Sequence, residues 1–403
     1  MAAEQSDELA PAERPPPADL SPRPAQELVR VDNPSELSAL AERAGRAEAL
    51  AVDVEADGLF AYRAKLCTLQ LAFREGARGT PEERMVVAIV DALAVPVSGL
   101  TSLFAAGPVQ VLHDLTFDAR LLGEAGAPLG QVRDTSVAAR LLGRTSTGLA
   151  ALLAEELGVH VEKRFQQHDW ARRPLGEEHL RYLAGDVAHL LELDARLAAA
   201  LVDKDLVDEA DAECRYKLQT ATLPPRDARP AYVRIKGASA LDAVGRAVLR
   251  RLVEARETAA ARADVPPFKV VGNDVLLELA RRRPGDAAGV SAVRGAASGR
   301  AASRVRAWVE AIVAGMRDGE VPAADRVHFE PQRVDRAQLA RRRARESQIS
   351  AWRRREAKAR GVDEQAVLPA TVRRRCSRCS STRPRSPAEP RPGRRGRRGR
   401  RGR

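Results

Sequence analysis

The sequence predicts an α/β domain that is followed by a separate all-α region. Four short apolar runs lie between residues 50 and 112, and each has the length and residue types of a strand. From Leu115 to about residue 205, apolar residues recur mostly at helical spacing. After prolines at residues 224, 225 and 230, helical spacing resumes. This order indicates one sheet-containing domain, a linker and a helical domain.

The composition is that of a globular chain with room for two or three domains in 403 residues. Aromatic residues make up only 3% of the chain, so its cores must be built from Ala, Leu and Val. We find no apolar run of 18 residues and no basic-then-apolar leader, which predicts neither a membrane span nor a secretory signal. Four cysteines give no disulfide framework, so we expect a cytoplasmic protein. No feature requires an obligate protein partner.

The net charge of +12 is concentrated in the last 31 residues. Residues 373–403 carry 14 Arg and one Glu, a local balance of +13, which leaves −1 for the preceding 372 residues. A tail of this kind favours polyanions through phosphate contacts that weaken with salt. The arginine-glycine repeats resemble low-complexity tails that bind RNA without reading bases, although they could equally serve solubility.

The elements of the first domain follow from the pattern in chain order. Residues 1–30 are rich in Pro, Ala and Glu without a sustained period, so we expect disorder there. A helix begins near Ser35, and a short helix includes Leu103. Because the first three strands follow one another closely, the sheet should be antiparallel on that side. The four predicted strands are the stretch of residues 50–58, which Gly58 closes, and residues 67–73, 85–90 and 109–112.

The first strand carries two acids that face the same way. Asp53 and Glu55 are two residues apart, whereas Val52 and Val54 face the opposite side. Two adjacent carboxylates repel each other, and such a pair is tolerated when a cation lies between them. The alternative is a strand end with two solvated acids, so matching acids elsewhere must decide between these interpretations.

Candidate matching acids follow the fourth strand and lie on a later helix. Asp114 and Asp118 are four residues apart at a helix start, where either could serve as an N-cap. A helix from about Glu177 carries Tyr182 and Asp186 on one face, four residues apart. The alternative for the second pair is a half-buried Tyr beside an exposed Asp. An Asp near a packed face needs a partner, which favours a functional use.

These elements together resemble the four-acid 3′→5′ exonucleases. The resemblance rests on Asp53-Val54-Glu55, on residues 113–118 and on Tyr182 to Asp186, whose Tyr-three-residues-Asp form marks the tyrosine branch. The segment from Lys163 through Gln166, Asp169-Trp170 and Arg173-Pro174-Leu175 is similar to ribonuclease D in particular. The match covers about residues 31–205. It implies a ribonuclease-H-like fold with a mixed five-stranded sheet.

The resemblance implies roles for eight residues. The metal ligands are Asp53, Glu55, Asp118 and Asp186, with Asp53 bridging, and Tyr182 orients the attacking water. Lys163, Gln166 and Arg173 are substrate-binding candidates, while Asp114 matches no ligand and is interpreted as a cap. Two Mg²⁺ or Mn²⁺ ions about 3.5–4 Å apart can activate the water and stabilise the leaving 3′ oxygen. Four carboxylates supply the hard oxygen ligands that these ions need.

The helical region resembles the HRDC domain, which follows ribonuclease D catalytic domains. Leu241, Val248 and Leu252 recur at helical spacing, and Asn273 opens a further helix. Ala255 stands where the family has Trp. The implied role is auxiliary nucleic-acid binding or docking; a helical bundle that only packs is the alternative. The predicted domains are a disordered segment (1–30), the exonuclease (31–210), a linker (211–235), HRDC (236–318), a partial second HRDC segment (336–372) and a disordered tail (373–403).

Two further features of the C-terminal region are open to more than one interpretation. A shift of 97 residues aligns Ala255-Arg256 with Trp352-Arg353, which suggests the partial second HRDC segment. Cys376 and Cys379 could form half of a zinc site, but no second pair completes it and arginines surround it.

The sequence therefore predicts a metal-dependent 3′→5′ exoribonuclease that releases nucleoside 5′-monophosphates and acts on tRNA 3′ ends and other stable RNA precursors. The alternatives are a DNA exonuclease of the same superfamily and a non-catalytic RNA-binding protein on a nuclease fold.

Overall fold

The computed structural model describes residues 25–77, 79–161, 164–223, 229–330, 336–362 and 364–368. The predictions for residues 1–24, for Lys163 and for the arginine tail with its two cysteines lie outside these residues. The chain divides into two units, residues 1–332 and 333–403, and each is described by itself. None of the described helices is both long enough and apolar enough to cross a bilayer.

A mixed six-stranded sheet forms the centre of the first domain. In sheet order the strands run β1-β4-β3-β2-β5-β6. The β2–β3 and β3–β4 pairs are antiparallel, as predicted, whereas β1 runs parallel to β4 and β5 runs parallel to both β2 and β6. The strands are β1 (Ala25–Val31), β2 (Ala49–Ala56), β3 (Leu66–Glu75), β4 (Arg84–Asp91), β5 (Val109–Leu112) and β6 (Val132–Asp134).

The expected five-stranded sheet was wrong by one strand, and two of the six strands have no clear sequence signal. β1 lies in the segment expected to be disordered, and Leu28 on it is 43% exposed. Its inward side contributes only Val29 and Val31 to the core, and pairing with β4 supplies the rest of its contacts, so an apolar pattern this short does not reveal it. β6 has only three residues, Val-Arg-Asp, and pairs with β5 at the other edge.

Helices cover the sheet and complete the first domain. A core of Leu, Val, Phe and Ala side chains packs α1 and α3 against the sheet. The helices are α1 (Pro34–Ala44), α2 (Thr101–Ala106), α3 (Thr116–Glu124), α4 (Thr135–Leu141), α5 (Leu149–Leu157), α6 (Glu177–Ala188), α7 (Leu190–Asp203) and α8 (Val207–Ala221). The linker predicted from residue 211 was therefore wrong at its start: α8 continues to Ala221 and packs on α3 and β6.

The helical domain has its own core around α9. Leu241, Val248 and Leu252 are buried as their spacing predicted, and Trp308 on α13 is fully buried beside them. Arg256 is also buried, and its Nη1 donates to Asn273 Oδ1 at 2.7 Å. The helices are α9 (Ala243–Ala263), α10 (Pro267–Val270), α11 (Asn273–Arg282), α12 (Ala287–Ser291), α13 (Val305–Asp318) and α14 (Ala323–Arg326).

The second unit contains α15 (Arg336–Arg360) and α16 (Glu364–Val367), which pack together. Arg353 on α15 is buried and bonds the Glu364 carbonyl. Arg256, its counterpart under the 97-residue shift, is likewise a buried arginine with a neutral acceptor. This parallel favours the partial repeat, which stays a prediction.

Candidate active site

The first pair of acids lies where the central strand leaves its neighbour. β5 pairs with β2 only at Ala49–Ala51, so the half of β2 that carries Asp53 and Glu55 is free of β5. Val52 and Val54 are buried in the core on the opposite face, as the alternation predicted. The core thereby fixes the direction in which the two carboxylates point.

A short closed loop anchors the end of β2. Asp57 is buried, and its Oδ1 accepts from the backbone N–H of Lys65 at 2.7 Å. The Asp57 N–H donates in turn to the Lys65 carbonyl. The loop therefore returns the chain directly into β3, and the strand that carries the acids does not fray at this end.

Asp118 lies in the first turn of α3, and its side chain is buried. Carboxylates are stabilised at this position by the helix dipole. The interpretation of Asp114 as a helix cap was wrong, because α3 has no side-chain cap bond. Asp114 instead adopts a left-handed conformation with a φ of 60° and accepts from Lys217 Nζ at 2.8 Å.

Asp134 holds the turn that leads into α3, and the sequence analysis missed it. Its carboxylate, fully buried, accepts from the backbone N–H groups of Asp114 and Leu115 and caps α4 through Ser136 N. Lys217 Nζ neutralises it at 2.6 Å. The Asp-Thr-Ser sequence at the start of α4 is an N-cap signal, but it gives no indication of the contacts to the turn before α3 or of Lys217 on α8.

The third element is α6, whose Tyr182 and Asp186 share one face one turn apart, as predicted. Carboxylate oxygens of Asp53, Glu55 and Asp186 all lie within 4.8 Å of one another. Asp118 is not a member of that tight group, but it interacts electrostatically with Asp53 and Glu55. Three of the four predicted ligands thus converge, with the fourth beside them.

Burial and mutual repulsion make these carboxylates hard to ionise together. Burial raises the pKa of Asp53 to about 7, and burial with repulsion from Asp53 raises the pKa of Asp186 to about 8. Burial, Asp53 and Asp186 raise the pKa of Glu55 to about 9. The pKa of Asp118 is also well above its ordinary value for the same reasons.

Among the residues that the structure describes, the acids have no cationic partner. Within the described parts of the chain, no Lys or Arg forms a salt bridge with Asp53, Glu55, Asp118 or Asp186. The donor set is made only of carboxylate oxygens, which suit a hard divalent cation. The residues present therefore fit the metal that the resemblance implies.

Tyr182 stands beside the acids but is poorly suited to act as a base. Burial, Asp186 and Glu55 raise the pKa of its phenol further above an already high ordinary value. Its ring packs against Phe165 and Trp170 at centroid distances of 5.6 and 5.7 Å. The hydroxyl thus stays protonated at neutral pH and can donate or accept a hydrogen bond.

A cavity of about 750 Å³ opens in front of the acids. Gln166, a predicted substrate contact, lines it. Arg140 and His113 line it too, and neither was singled out from the sequence. His113 lies 2.9 Å from the Thr135 hydroxyl through Nδ1, and burial lowers its pKa. The cavity therefore combines an acidic wall with a polar and partly cationic one.

Arg173, predicted to contact substrate, is instead committed to the protein. Its guanidinium forms a bidentate ion pair with Asp91, at 2.5 and 2.7 Å. The remaining donors bond the carbonyls of Cys67, Trp170 and Arg172. All five N–H groups are used, so none is left for a phosphate in this conformation.

Two family models match the chain. A model described as a 3′-5′ exonuclease matches residues 28–201, and an HRDC domain model matches residues 245–312. The first contains the whole sheet except the start of β1 together with all the clustered acids. The fold and the acidic cluster thus define the first domain as a 3′→5′ exonuclease domain.

The curated relatives identify the family. The chain is 30% identical over 318 residues to ribonuclease D of Acidiphilium cryptum, and the matched region covers 76% of this chain and 78% of the relative. It is 29% identical over 305 residues to ribonuclease D of Gluconacetobacter diazotrophicus, with 73% and 74% covered. The chain belongs to the ribonuclease D family of 3′→5′ exoribonucleases.

Two solved structures show the same fold. The Escherichia coli RNase D structure has a TM-score of 0.64 at 21% identity, covering 84% of this chain and 87% of that one. The catalytic core of RRP6 from Trypanosoma brucei has a TM-score of 0.61 at 24% identity, covering 75% and 82%. The ribonuclease-H-like exonuclease fold followed by a helical domain is thereby confirmed, apart from the strand count.

Proposed function

We propose that this chain hydrolyses RNA from the 3′ end with divalent cations bound to Asp53, Glu55, Asp118 and Asp186. The observation that carries the proposal is the convergence of three of these carboxylates within 4.8 Å, with no salt bridge to a Lys or Arg among the described residues. Two such ions, when bound, would supply an activated water and stabilise charge on the leaving oxygen. Mg²⁺ and Mn²⁺ both prefer these ligands.

The remaining roles belong to side chains around the cavity. Tyr182 keeps its proton at neutral pH, so we assign it to orienting the attacking water rather than to removing its proton. Gln166 is assigned to substrate binding because it lines the cavity, and Lys163 because of its position in the family segment. Arg140, in the same wall, offers a cation for a substrate phosphate.

The test is a time course on 3′-labelled and 5′-labelled RNA, with Mg²⁺ and with EDTA. We expect labelled mononucleotide at once from the 3′ label, and a ladder of shortened products from the 5′ label, only with Mg²⁺. A matched DNA oligonucleotide should be degraded more slowly. Equal or faster DNA degradation would instead favour the DNA exonuclease alternative, and binding without hydrolysis would favour the non-catalytic one.

For the physiological substrate, we propose tRNA precursors and other stable RNA precursors in the cytoplasm. The E. coli relative is described as an exoribonuclease involved in structured RNA processing, which supports this class. The comparison to make is between a folded tRNA with a 3′ extension and an unstructured oligonucleotide of the same 3′ sequence. Trimming that stops at the mature 3′ end of the folded RNA is the expected result.

The arginine tail is proposed to increase RNA affinity without reading sequence. Deleting residues 373–403 removes a net charge of +13. We expect weaker RNA binding and a shallower fall of log K with log [salt], by about 0.7 per lost contact to single-stranded RNA. Binding measured by fluorescence anisotropy from low to high KCl would reveal this. An unchanged slope would show that the tail does not touch the substrate.

A further inference from the structure

Trp170 is a large buried side chain near the acids, and it contacts Tyr182 of α6. It is 1% exposed and lies in a small core with Cys67, Leu175 and Leu183. Its indole stacks on the Tyr182 ring, with centroids 5.7 Å apart and planes inclined by 26°. This contact restricts the rotation of the Tyr182 ring, and with it the position of its hydroxyl.

The polar edge of the indole faces an unusual environment. Trp170 Nε1 is buried and has no hydrogen-bond partner of good geometry among the described residues. Its interaction with the Glu55 carboxylate nevertheless lowers the pKa of that acid, against the effect of burial. The Tyr182 ring on which the indole stacks lines the same cavity as Glu55, so this unpaired N–H belongs to a side chain that packs against the wall of the acidic site. A buried donor left in this state is costly unless an acceptor can move to meet it.

The backbone around Trp170 is fixed to the sheet by Arg173. Arg173 Nη1 donates to the Trp170 carbonyl at 2.7 Å, while the same guanidinium binds Asp91 at the end of β4. The Arg173 Nη2 also donates to the Cys67 carbonyl on β3. The ion pair to Asp91 thus holds the indole at a set distance from β2 and α6.

We propose that Trp170 is a positioning residue of the acidic site: its ring fixes Tyr182, and its N–H directs the Glu55 carboxylate toward a bound cation. The inference rests on the proposed hydrolytic function and adds a residue that touches neither substrate nor metal. A ligand carboxylate held by a donor in this way binds its metal in one orientation. Loss of such a donor typically costs about 10- to 100-fold in metal affinity or activity.

The chain offers a matched control for this proposal. Trp308, in the helical domain, is also fully buried, and its Nε1 likewise has no partner among the described residues. Trp170→Phe and Trp308→Phe therefore remove the same indole N–H from a comparable environment. Only Trp170 lies near the acids. If its N–H acts on the site, Trp170→Phe should change metal binding and activity, whereas Trp308→Phe should not.

The experiment measures Mn²⁺ binding by calorimetry without RNA, and kcat and KM separately with RNA. We expect Trp170→Phe to weaken Mn²⁺ binding and lower kcat by about 10-fold or more, with KM changed less than about 2-fold. Trp308→Phe should leave all three at wild-type values. Equal behaviour of the two variants would overturn the proposal. An inactive wild-type protein would instead overturn the proposed function.

A second measurement keeps Trp170 in place, in case its replacement prevents folding. In a Trp308→Phe, Trp352→Phe protein, Trp170 is the only remaining tryptophan. Adding paramagnetic Mn²⁺ should quench its emission, whereas the same addition to that protein carrying Asp186→Asn should quench it far less. Emission that does not respond to Mn²⁺ would show that the indole is not beside the bound cation, and would overturn the proposal.

Discussion

At the end of the sheet where β3 finishes, Glu27 and Glu75 receive hydrogen bonds from Arg43, and Arg84 pairs with both. At the other end, carboxylate oxygens of Asp53, Glu55 and Asp186 lie within 4.8 Å of one another, and no Lys or Arg among the described residues pairs with them. The pKa of Glu75 falls to about 2, chiefly through its hydrogen bond to Arg43, while the pKa of Asp53 rises to about 7 through burial. Carboxylates are thus kept ionised by arginines at one end of the sheet, whereas at the other end their negative charge is not neutralised by a described side chain.

This difference shows that the fold places arginines beside Glu27 and Glu75 but places none of its described cations beside Asp53, Glu55 and Asp186. Arginine is a permanent cation, so the first cluster needs nothing from solution. The second cluster can still attract a cation from solution, because no Lys or Arg in the described part of the chain forms a salt bridge with it. Predictions that remove or add charge at each end therefore test the comparison directly.

The largest expected effect is from Asp186→Asn, which removes one of the three converging carboxylates. We expect hydrolysis to fall by about 10³-fold or more, since metal ions supply several kcal/mol of transition-state stabilisation. Initial rates on 3′-labelled RNA measure this. Asp203→Asn, an exposed acid on α7, is the control. Wild-type rates in Asp186→Asn would remove this residue from the site.

A smaller effect is expected on the metal-free protein as the pH changes. Because the pKa values of Asp53, Asp186 and Glu55 rise on folding, to about 7, 8 and 9, these groups stabilise the folded state fully only below their unfolded values near pH 4. That contribution is lost as the pH rises through the folded values. The Tm in EDTA should therefore fall between about pH 6 and pH 9.

Adding Mg²⁺ should reverse this loss, most strongly at the alkaline end, where the ligands are ionised. Saturation at 100 times Kd would add about 2.7 kcal/mol to the free energy of unfolding. Thermal melts with EDTA and with Mg²⁺ at each pH give both quantities, and Asp186→Asn should respond less to either. A Mg²⁺ effect that is largest at low pH would contradict the assignment.

The smallest effect is expected at the other end of the sheet. Glu75→Gln should lower the free energy of unfolding by about 1–2 kcal/mol at neutral pH, because it weakens charged hydrogen bonds to Arg43 and Arg84. The lowered pKa of Glu75 stabilises the fold above about pH 4.5 and less as the pH falls toward 2. The difference from wild type should therefore disappear in acid.

Urea unfolding at neutral and acidic pH measures this difference. Glu48→Gln, a nearby exposed acid without a described ion pair, should unfold like the wild type at both pH values. Mg²⁺ should not change the Glu75→Gln effect, since the two clusters lie at opposite ends of the sheet. If Mg²⁺ changed the loss of unfolding free energy in Glu75→Gln, the two acidic clusters would not be independent, which would contradict the comparison.

The acids were predictable from sequence because their chemistry needs fixed residue types at short spacings. Asp53 and Glu55 alternate on a strand, and Tyr182 and Asp186 are one helical turn apart, so local periodicity already sets their direction. The order of strands before helices was visible for the same reason. The sequence pattern was sufficient wherever the position of a side chain depends on its own strand or helix.

Contacts between distant parts of the chain were not predictable. Arg173 pairs with Asp91, which precedes it by 82 residues, so the pattern could not distinguish an anchor from a phosphate contact. Lys217 neutralises Asp134 across 83 residues, and this changes the role of the Asp114 turn. β1 is held mainly by its pairing with β4, and its own sequence adds only Val29 and Val31 to the core. Each miss concerns a partner that only the fold supplies.

The position of β1 has a practical consequence for shortened forms of the protein. It covers the outer side of β4, an almost wholly apolar strand, by parallel pairing over seven residues. A truncation that begins after Val31 would leave the N–H and C=O groups of β4 open along one side. Such an exposed strand edge pairs with strands of neighbouring molecules, so we expect that truncated form to precipitate while its acidic cluster remains intact.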